Sequence, residues 1–276
     1  MKSMFWKELL RLLLFTLGGI LLTMLLMAVM LAVSGSSVTL LHVTQWGQTL
    51  FMMALPPVLW AKFYLHEPVA NALNLWRPRW EWMVLTFCLM VVSVPLMDQL
   101  SVWNAQIPLP GELQAHAEQQ RATNNAVLEK MLNVDGIGGW TELILLLTVG
   151  TAVGEELMFR GGLLRCFRHT KLSKGSVAVL IGLIFSLIHF DLQGLLPRWI
   201  LGTLLVYLVW WSGSIWPAVL AHAVNNLMAL LSAKLNGVDD YMAMTDWGWG
   251  MLTLSAVLTC ALLYIMCKRR VDMQPE

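Results

Sequence analysis

Between Leu12 and Val33 the chain runs for about 22 residues without a charged side chain, close to the ~20 residues an α-helix needs to cross a bilayer's hydrocarbon core. In lipid every backbone N–H and C=O must be satisfied from within, so such a segment forms a helix or joins a closed barrel. A barrel strand alternates apolar and polar residues, and this run does not. The pattern recurs, and the apolar stretches predict about eight helices at 12–33, 46–65, 82–103, 140–164, 176–190, 195–211, 214–233 and 248–267. The expected fold is all-α, a polytopic membrane helical bundle. The fifth and sixth helices are short, interrupted by the polar His189–Asp191 turn and by Pro197.

Composition agrees. The chain is 58% hydrophobic and 13% charged, where soluble chains run near ~25% charged. A net charge of +1 offers no basic surface for nucleic acid, and none is expected as a partner. The partners this composition implies are the lipid bilayer and a peptide or protein within reach of it. Lys2, Lys7 and Arg11 precede the first run, and Ala32–Ser37 resembles a small-residue cleavage site. The run is nevertheless longer than the ~7–15 residues of a signal-peptide core, so a retained helix is expected.

Basic residues orient the bundle. Lys2, Lys7 and Arg11 precede the first helix, and Lys62, Arg77 and Arg79 lie between the second and third. Arg160, Arg165, Arg168, Lys171 and Lys174 lie between the fourth and fifth, and Lys268, Arg269 and Arg270 follow the eighth. Segment 34–45 has no Lys or Arg, and 234–247 sets Asp239, Asp240 and Asp246 against Lys234. The positive-inside rule then puts both termini in the cytoplasm, in the cell inner membrane if the source is bacterial. Trp6, Trp46, Trp80, Trp82, Trp103, Trp140, Trp210, Trp211, Trp216 and Trp247 fall near span ends, as an interfacial aromatic belt would. Cys88, Cys166, Cys260 and Cys267 form no CxxC pair and read as packing residues. The polar insert 104–138 breaks at Ile107–Gly111, and its 112–132 stretch reads as a helix outside or on the membrane, a lid or a solvated connector.

Polar groups inside the apolar helices carry the chemistry. An ionised residue near a membrane helix centre costs about 2.5–3.5 kcal/mol on insertion scales, so Glu155, Glu156 and Arg160 together are not casual. Glu156 and Arg160 stand at i and i+4 and can pair, while Glu155 is rotated about 100° away and stays available. Gly150 and Gly154 permit another helix to approach closely. His222 and Asn226 also share a face at i and i+4, and His189 ends an apolar run. At ~1.5 Å per residue, Glu155 and His222 come out about 10–15 Å deep, but His189 nearer 20 Å, a mismatch in depth.

Such a set suits hydrolysis. Desolvation disfavours a charged carboxylate, which makes a buried one a stronger base toward water. Histidine and amide side chains can stabilise the resulting oxyanion. Glu155, His189 and His222 are also a recognised zinc ligand set, so a metal mechanism competes, although H-E-x-x-H is absent. The glutamate mechanism requires no cofactor.

Three motifs, Glu155-Glu156-x-x-x-Arg160, Phe185-x-x-x-His189 and His222-x-x-x-Asn226, together resemble the signature of the type II CAAX prenyl endopeptidase and bacteriocin-processing (CPBP) family. The resemblance covers about 140–235. It implies an intramembrane glutamate-dependent peptidase whose site opens toward the cytoplasm. It makes Glu155 the water-activating base, Glu156 and Arg160 its support, and His189, His222 and Asn226 the groups that bind or polarise the carbonyl. The expected organisation is N-terminal spans over 1–139, a CPBP-like core over 140–235, and a last span with a basic tail over 236–276. Eukaryotic relatives cleave prenylated CAAX tails, and bacterial ones are associated with peptide maturation and bacteriocin self-immunity. A non-catalytic immunity or binding protein on the same scaffold is the alternative. A proton-relaying transporter would leave the His and Asn spacing without a reason.

Overall fold

The computed structural model describes residues 2–34, 38–238 and 247–271. Asp239, Asp240 and Asp246, which entered the charge asymmetry above, lie outside the described residues, as do residues 35–37 of the candidate cleavage segment. Among the described residues every regular element is helical.

The first helix, α1 (Lys2–Ser34), begins earlier than the apolar run, so Lys7 and Arg11 are part of it. Leu13, Leu17, Leu21 and Leu25 are exposed along it, a surface for lipid rather than water. Next come α2 (Val38–Gly47), a π-helical stretch Gln48–Ala54 and α3 (Leu55–Tyr64). This rod starts earlier than the expected 46–65 because His42, polar in sequence, is buried and bonded at 3.1 Å to Glu142. The widened π turn precedes Pro56 and Pro57. Proline has no N–H to donate and crowds the preceding turn, so the loosened helix ends where they begin.

A single turn, α4 (Val69–Ala72), leads to α5 (Trp80–Val92) and α6 (Val94–Ala105), which are bent by 49° at Ser93. Pro95 removes the backbone bond that would carry one straight helix through. The insert forms α7 (Gly111–Leu132), whose last turn is docked: Met131 and Leu132 are buried against Leu143 and Leu146.

A rod of 136–169 follows: α8 (Gly136–Ile144), a π stretch Leu145–Gly150, α9 (Thr151–Glu156), a second π stretch Leu157–Leu163, α10 (Leu164–Cys166) and a 3-10 turn Phe167–His169. The remaining helices are α11 (Lys174–Leu187), α12 (Leu195–Ser212), α13 (Trp216–Asn236) and α14 (Gly248–Lys268). Gly213, at φ +70°, closes the turn between α12 and α13 in a conformation that other residues adopt at a cost.

Five helices are long and apolar enough to cross a membrane, and the bent α5–α6 pair makes six. The chain is a multi-pass integral membrane protein. The count of eight is not recovered on length and hydropathy: the second expected span is divided by its π turn, and α11 has 14 residues. One expected belt residue is displaced, since Trp82 is 3% exposed and belongs to the main core. Trp6, Trp80 and Trp103 are exposed near helix ends. All four cysteines are free, and Cys166 is buried.

Candidate active site

The site is built where four helices meet on small residues. Gly182 of α11 and Gly202 of α12 face each other so closely that a Cβ on Gly202 would lie 2.9 Å from the Gly182 Cα. This contact brings the Gly202 carbonyl to Arg160, whose Nη2 donates to it at 2.8 Å. On the other side of the 136–169 rod, a Cβ on Gly154 would lie 2.9 Å from the Thr49 carbonyl. The close helix that Gly150 and Gly154 admit is therefore the 38–64 rod, and the histidine arrives instead on α13.

Glu155 and Glu156 end α9, between the two π stretches, a kind of interruption that recurs at functional sites. Glu156 and Arg160 are both wholly buried, and Arg160 Nη1 donates to Glu156 Oε1 at 2.8 Å. His222 Nδ1 lies 2.9 Å from that same oxygen. Because Oε1 already accepts from the guanidinium, it accepts from His222 as well, which places the imidazole proton on Nδ1. The other ring nitrogen, Nε2, then faces Glu155 Oε2 at 3.7 Å. Glu155 is 14% exposed, and its Oε2 is buried without a hydrogen-bond partner. One carboxylate is held by two donors; the other is not.

Phe185 packs at the centre of these groups. Its ring meets Phe159, His189 and His222 edge-on at centroid distances of 5.3, 5.1 and 5.5 Å. The Arg160 guanidinium sits 4.6 Å from its centroid, within cation–π range. His189 Nδ1 lies 2.8 Å from the Phe185 carbonyl and donates to it, which leaves Nε2 as the acceptor. His189 thus reaches the cluster through Phe185, and the depth mismatch estimated from helix rise does not keep it apart. Asn226 stands one turn past His222, with Nδ2 3.4 Å from the Leu147 carbonyl.

His189, His222 and Asn226 line a cavity of about 430 Å³, and the two glutamates lie behind His222 rather than in its wall. Among the described residues no three His, Cys, Asp or Glu side chains converge as a metal site. His222 Nδ1 bonds Glu156 and His189 Nδ1 a backbone carbonyl, the kind of outer contact a metal-ligating histidine also makes, and in each ring Nε2 is the nitrogen left over.

Residues 138–228 match the family model described as Type II CAAX prenyl endopeptidase Rce1-like. The match bears out the CPBP resemblance of the three motifs and contains all six motif residues. At the level of the family it supports an intramembrane endopeptidase. No curated protein and no solved structure matches the chain.

Three residues around the site escaped the sequence reading. Asn104, at the end of α6, donates through Nδ2 to the Leu192 and Gln193 carbonyls at 2.8 and 2.6 Å. Its Oδ1 accepts from the Leu196 N–H at 2.8 Å. This clamps the loop that follows His189. Arg198 pairs with Asp191 at 2.5 Å in the same loop, and Asp98 lines the cavity from α6. Asp98 carried a signal, as an acidic residue inside a span; Asn104 sat at the edge of a polar insert and carried none.

Proposed function

We propose that this protein is an intramembrane endopeptidase that hydrolyses a peptide bond in a membrane-associated peptide or protein through a glutamate-activated water. The observation that carries the reading is the pairing of His222 with both carboxylates. Glu156 and Arg160 fix the imidazole through Nδ1, and an unpartnered Glu155 oxygen stands 3.7 Å from Nε2. At that separation the two atoms share no direct hydrogen bond, so the Glu155 oxygen is left to accept a proton from water.

In this reading Glu155 takes a proton from water, and the oxygen attacks the scissile carbonyl. The proton passes to the leaving amine as the carbon–nitrogen bond breaks. Asn226 and His189 line the cavity, where the Asn226 amide donates to the carbonyl and His189 Nε2, an acceptor, binds a substrate N–H; an oxyanion donor at such a position contributes about 2.7–4 kcal/mol. Glu156 and Arg160 act by holding His222. The mechanism requires no metal. Treating the purified protein with a chelator and then restoring defined metals tests this, with activity expected to persist through chelation.

The decisive experiment compares wild type with Glu155→Gln and His222→Ala on a panel of membrane-tethered peptides, prenylated CAAX-like and leader-bearing tails among them. Cleavage by wild type and its loss in both variants is expected. Equal behaviour of all three proteins would instead favour a non-catalytic immunity or binding role. Both termini are assigned to the cytoplasm in this reading, from the distribution of basic residues.

A further inference from the structure

The wall that α6 gives to the cavity carries a charge that the proposed chemistry does not use. Val94, Met97, Asp98 and Ser101 stand at the spacing of one helix face, and all four line the cavity. Asp98 is half-buried there. Its Oδ2 accepts from the Trp247 indole Nε1 at 2.9 Å. The hydroxyls near it in the chain are engaged elsewhere: Ser93 Oγ donates to the Met90 carbonyl and Ser101 Oγ to the Met97 carbonyl. Among the described residues the indole is the only donor Asp98 has, and it fills one of the roughly four lone-pair sites of a carboxylate.

A tie between α6 and α14 requires only an acceptor. A neutral amide would supply one without the about 2.5–3.5 kcal/mol that an ionised residue costs in a span. A charge in this place calls for a cation, and the protein does not provide it. Arg198, the other charged residue of the cavity wall, pairs with Asp191 at 2.5 Å and donates to the Asp191 carbonyl at 3.3 Å. Behind His222, Arg160 is held by Glu156. With both guanidinium groups matched, Glu155 and Asp98 remain without an Arg or Lys of their own among the described residues. The site therefore presents a negative field to what enters it.

We infer that Asp98 is a specificity determinant that receives a basic side chain, lysine or arginine, of the polypeptide substrate. The inference rests on the peptidase reading above and deepens it by naming a residue class the substrate carries. Apolar side chains make up much of the same wall, Met90, Val94 and Met97 among them. They suit the methylene stem of a basic residue while its charged end reaches the carboxylate, and they accommodate apolar groups of the same substrate. Along α6, Asp98 stands about 9 Å from Asn104, which clamps the loop after His189. That is the length of roughly three residues of extended peptide. The basic residue thus falls within a few positions of the bond that is cut.

Paired peptides test the charge alone. Membrane-tethered peptides with acetylated N-termini carry, at one position in turn on either side of the cleaved bond, lysine or the uncharged Nε-acetyl-lysine. Wild type is expected to cleave the best lysine peptide with a kcat/KM at least about tenfold above that of its partner, as a desolvated charge pair contributes. In Asp98→Asn, which keeps an acceptor for Trp247, this ratio is expected to fall to near one; in Asp98→Glu it should persist. The ratio is taken within each protein, so a general loss of activity cancels. Binding of the same pairs to Glu155→Gln, with and without Asp98→Asn, reads the ratio where turnover is absent. Glu155-dependent cleavage with no lysine preference, or with a preference that survives Asp98→Asn, overturns the inference and leaves the peptidase reading intact. A lysine preference in binding that is lost with Asp98→Asn, with neither peptide cleaved by wild type, keeps Asp98 as a cation site and overturns its role in a peptidase.

Discussion

His222 binds Glu156 through Nδ1 at 2.9 Å while its opposite nitrogen faces Glu155 at 3.7 Å. Two adjacent carboxylates thus meet opposite sides of one imidazole, and their roles should separate on mutation. Glu155→Gln removes the unpartnered acceptor and leaves the buried pair intact. Cleavage should fall by about 10²–10⁴, the usual contribution of a general base, with thermal unfolding in detergent unchanged. Glu156→Gln removes a charge that faces the buried Arg160, so it should lower both activity and melting temperature. If Glu155→Gln cleaved at the wild-type rate, another group would have to be the base.

The Gly182–Gly202 contact sets where the Gly202 carbonyl meets Arg160. A Cβ on Gly182 would fall 2.6 Å from the Thr203 backbone nitrogen and 2.8 Å from the Trp199 carbonyl. Backbone atoms cannot rotate aside as a flexible side chain can, so α11 and α12 must separate. Gly182→Ala should cost about 1–3 kcal/mol, as overpacking does, and should lower activity through Arg160. Denaturant unfolding in detergent measures the first effect, and the peptide assay the second. Wild-type stability in this variant would mean that the two helices are less tightly apposed.

Asn104 closes three backbone bonds across the loop after His189. Asn104→Leu keeps the volume and loses all three, leaving buried backbone groups unpaired at about 1–3 kcal/mol each. The loop carries His189 at its start, so turnover should fall more than substrate affinity. Steady-state kinetics divides the two. A change in KM alone would place the loop in binding rather than in positioning the reacting carbonyl.

How far all this was legible in sequence follows from what lipid enforces. Spans must be long and uninterrupted, so 195–212 and 248–268 were expected to within a residue or two. The rod of 38–64 begins earlier than the expected 46–65, since a polar His42 lies outside an apolar stretch and its partner Glu142 is 100 residues away. The Glu156–Arg160 pair was readable because helix geometry alone brings i and i+4 together. The Glu156–His222 bond and the Asn104 clamp depend on which helices pack side by side, and no periodicity reports that. Gly150 and Gly154 did announce a close neighbour, but not which one, and it proved to be the 38–64 rod.

The buried Glu156–Arg160 pair offers the sharpest division between fold and function. Both side chains are wholly inaccessible to solvent. Removing one partner of such a pair leaves an uncompensated buried charge and costs about 3–5 kcal/mol, whereas replacing both with apolar residues of similar volume is often neutral or stabilising. Arg160→Met should therefore destabilise strongly, and Glu156→Met/Arg160→Met should recover much of the loss. Activity should not recover, because His222 Nδ1 then has no carboxylate to hold it and its orientation toward Glu155 is lost. Thermal unfolding and cleavage of the three proteins, measured side by side, decide the matter. A double variant that was both stable and active would show that the pair serves the fold alone, and that His222 is positioned by its contact with Phe185 instead.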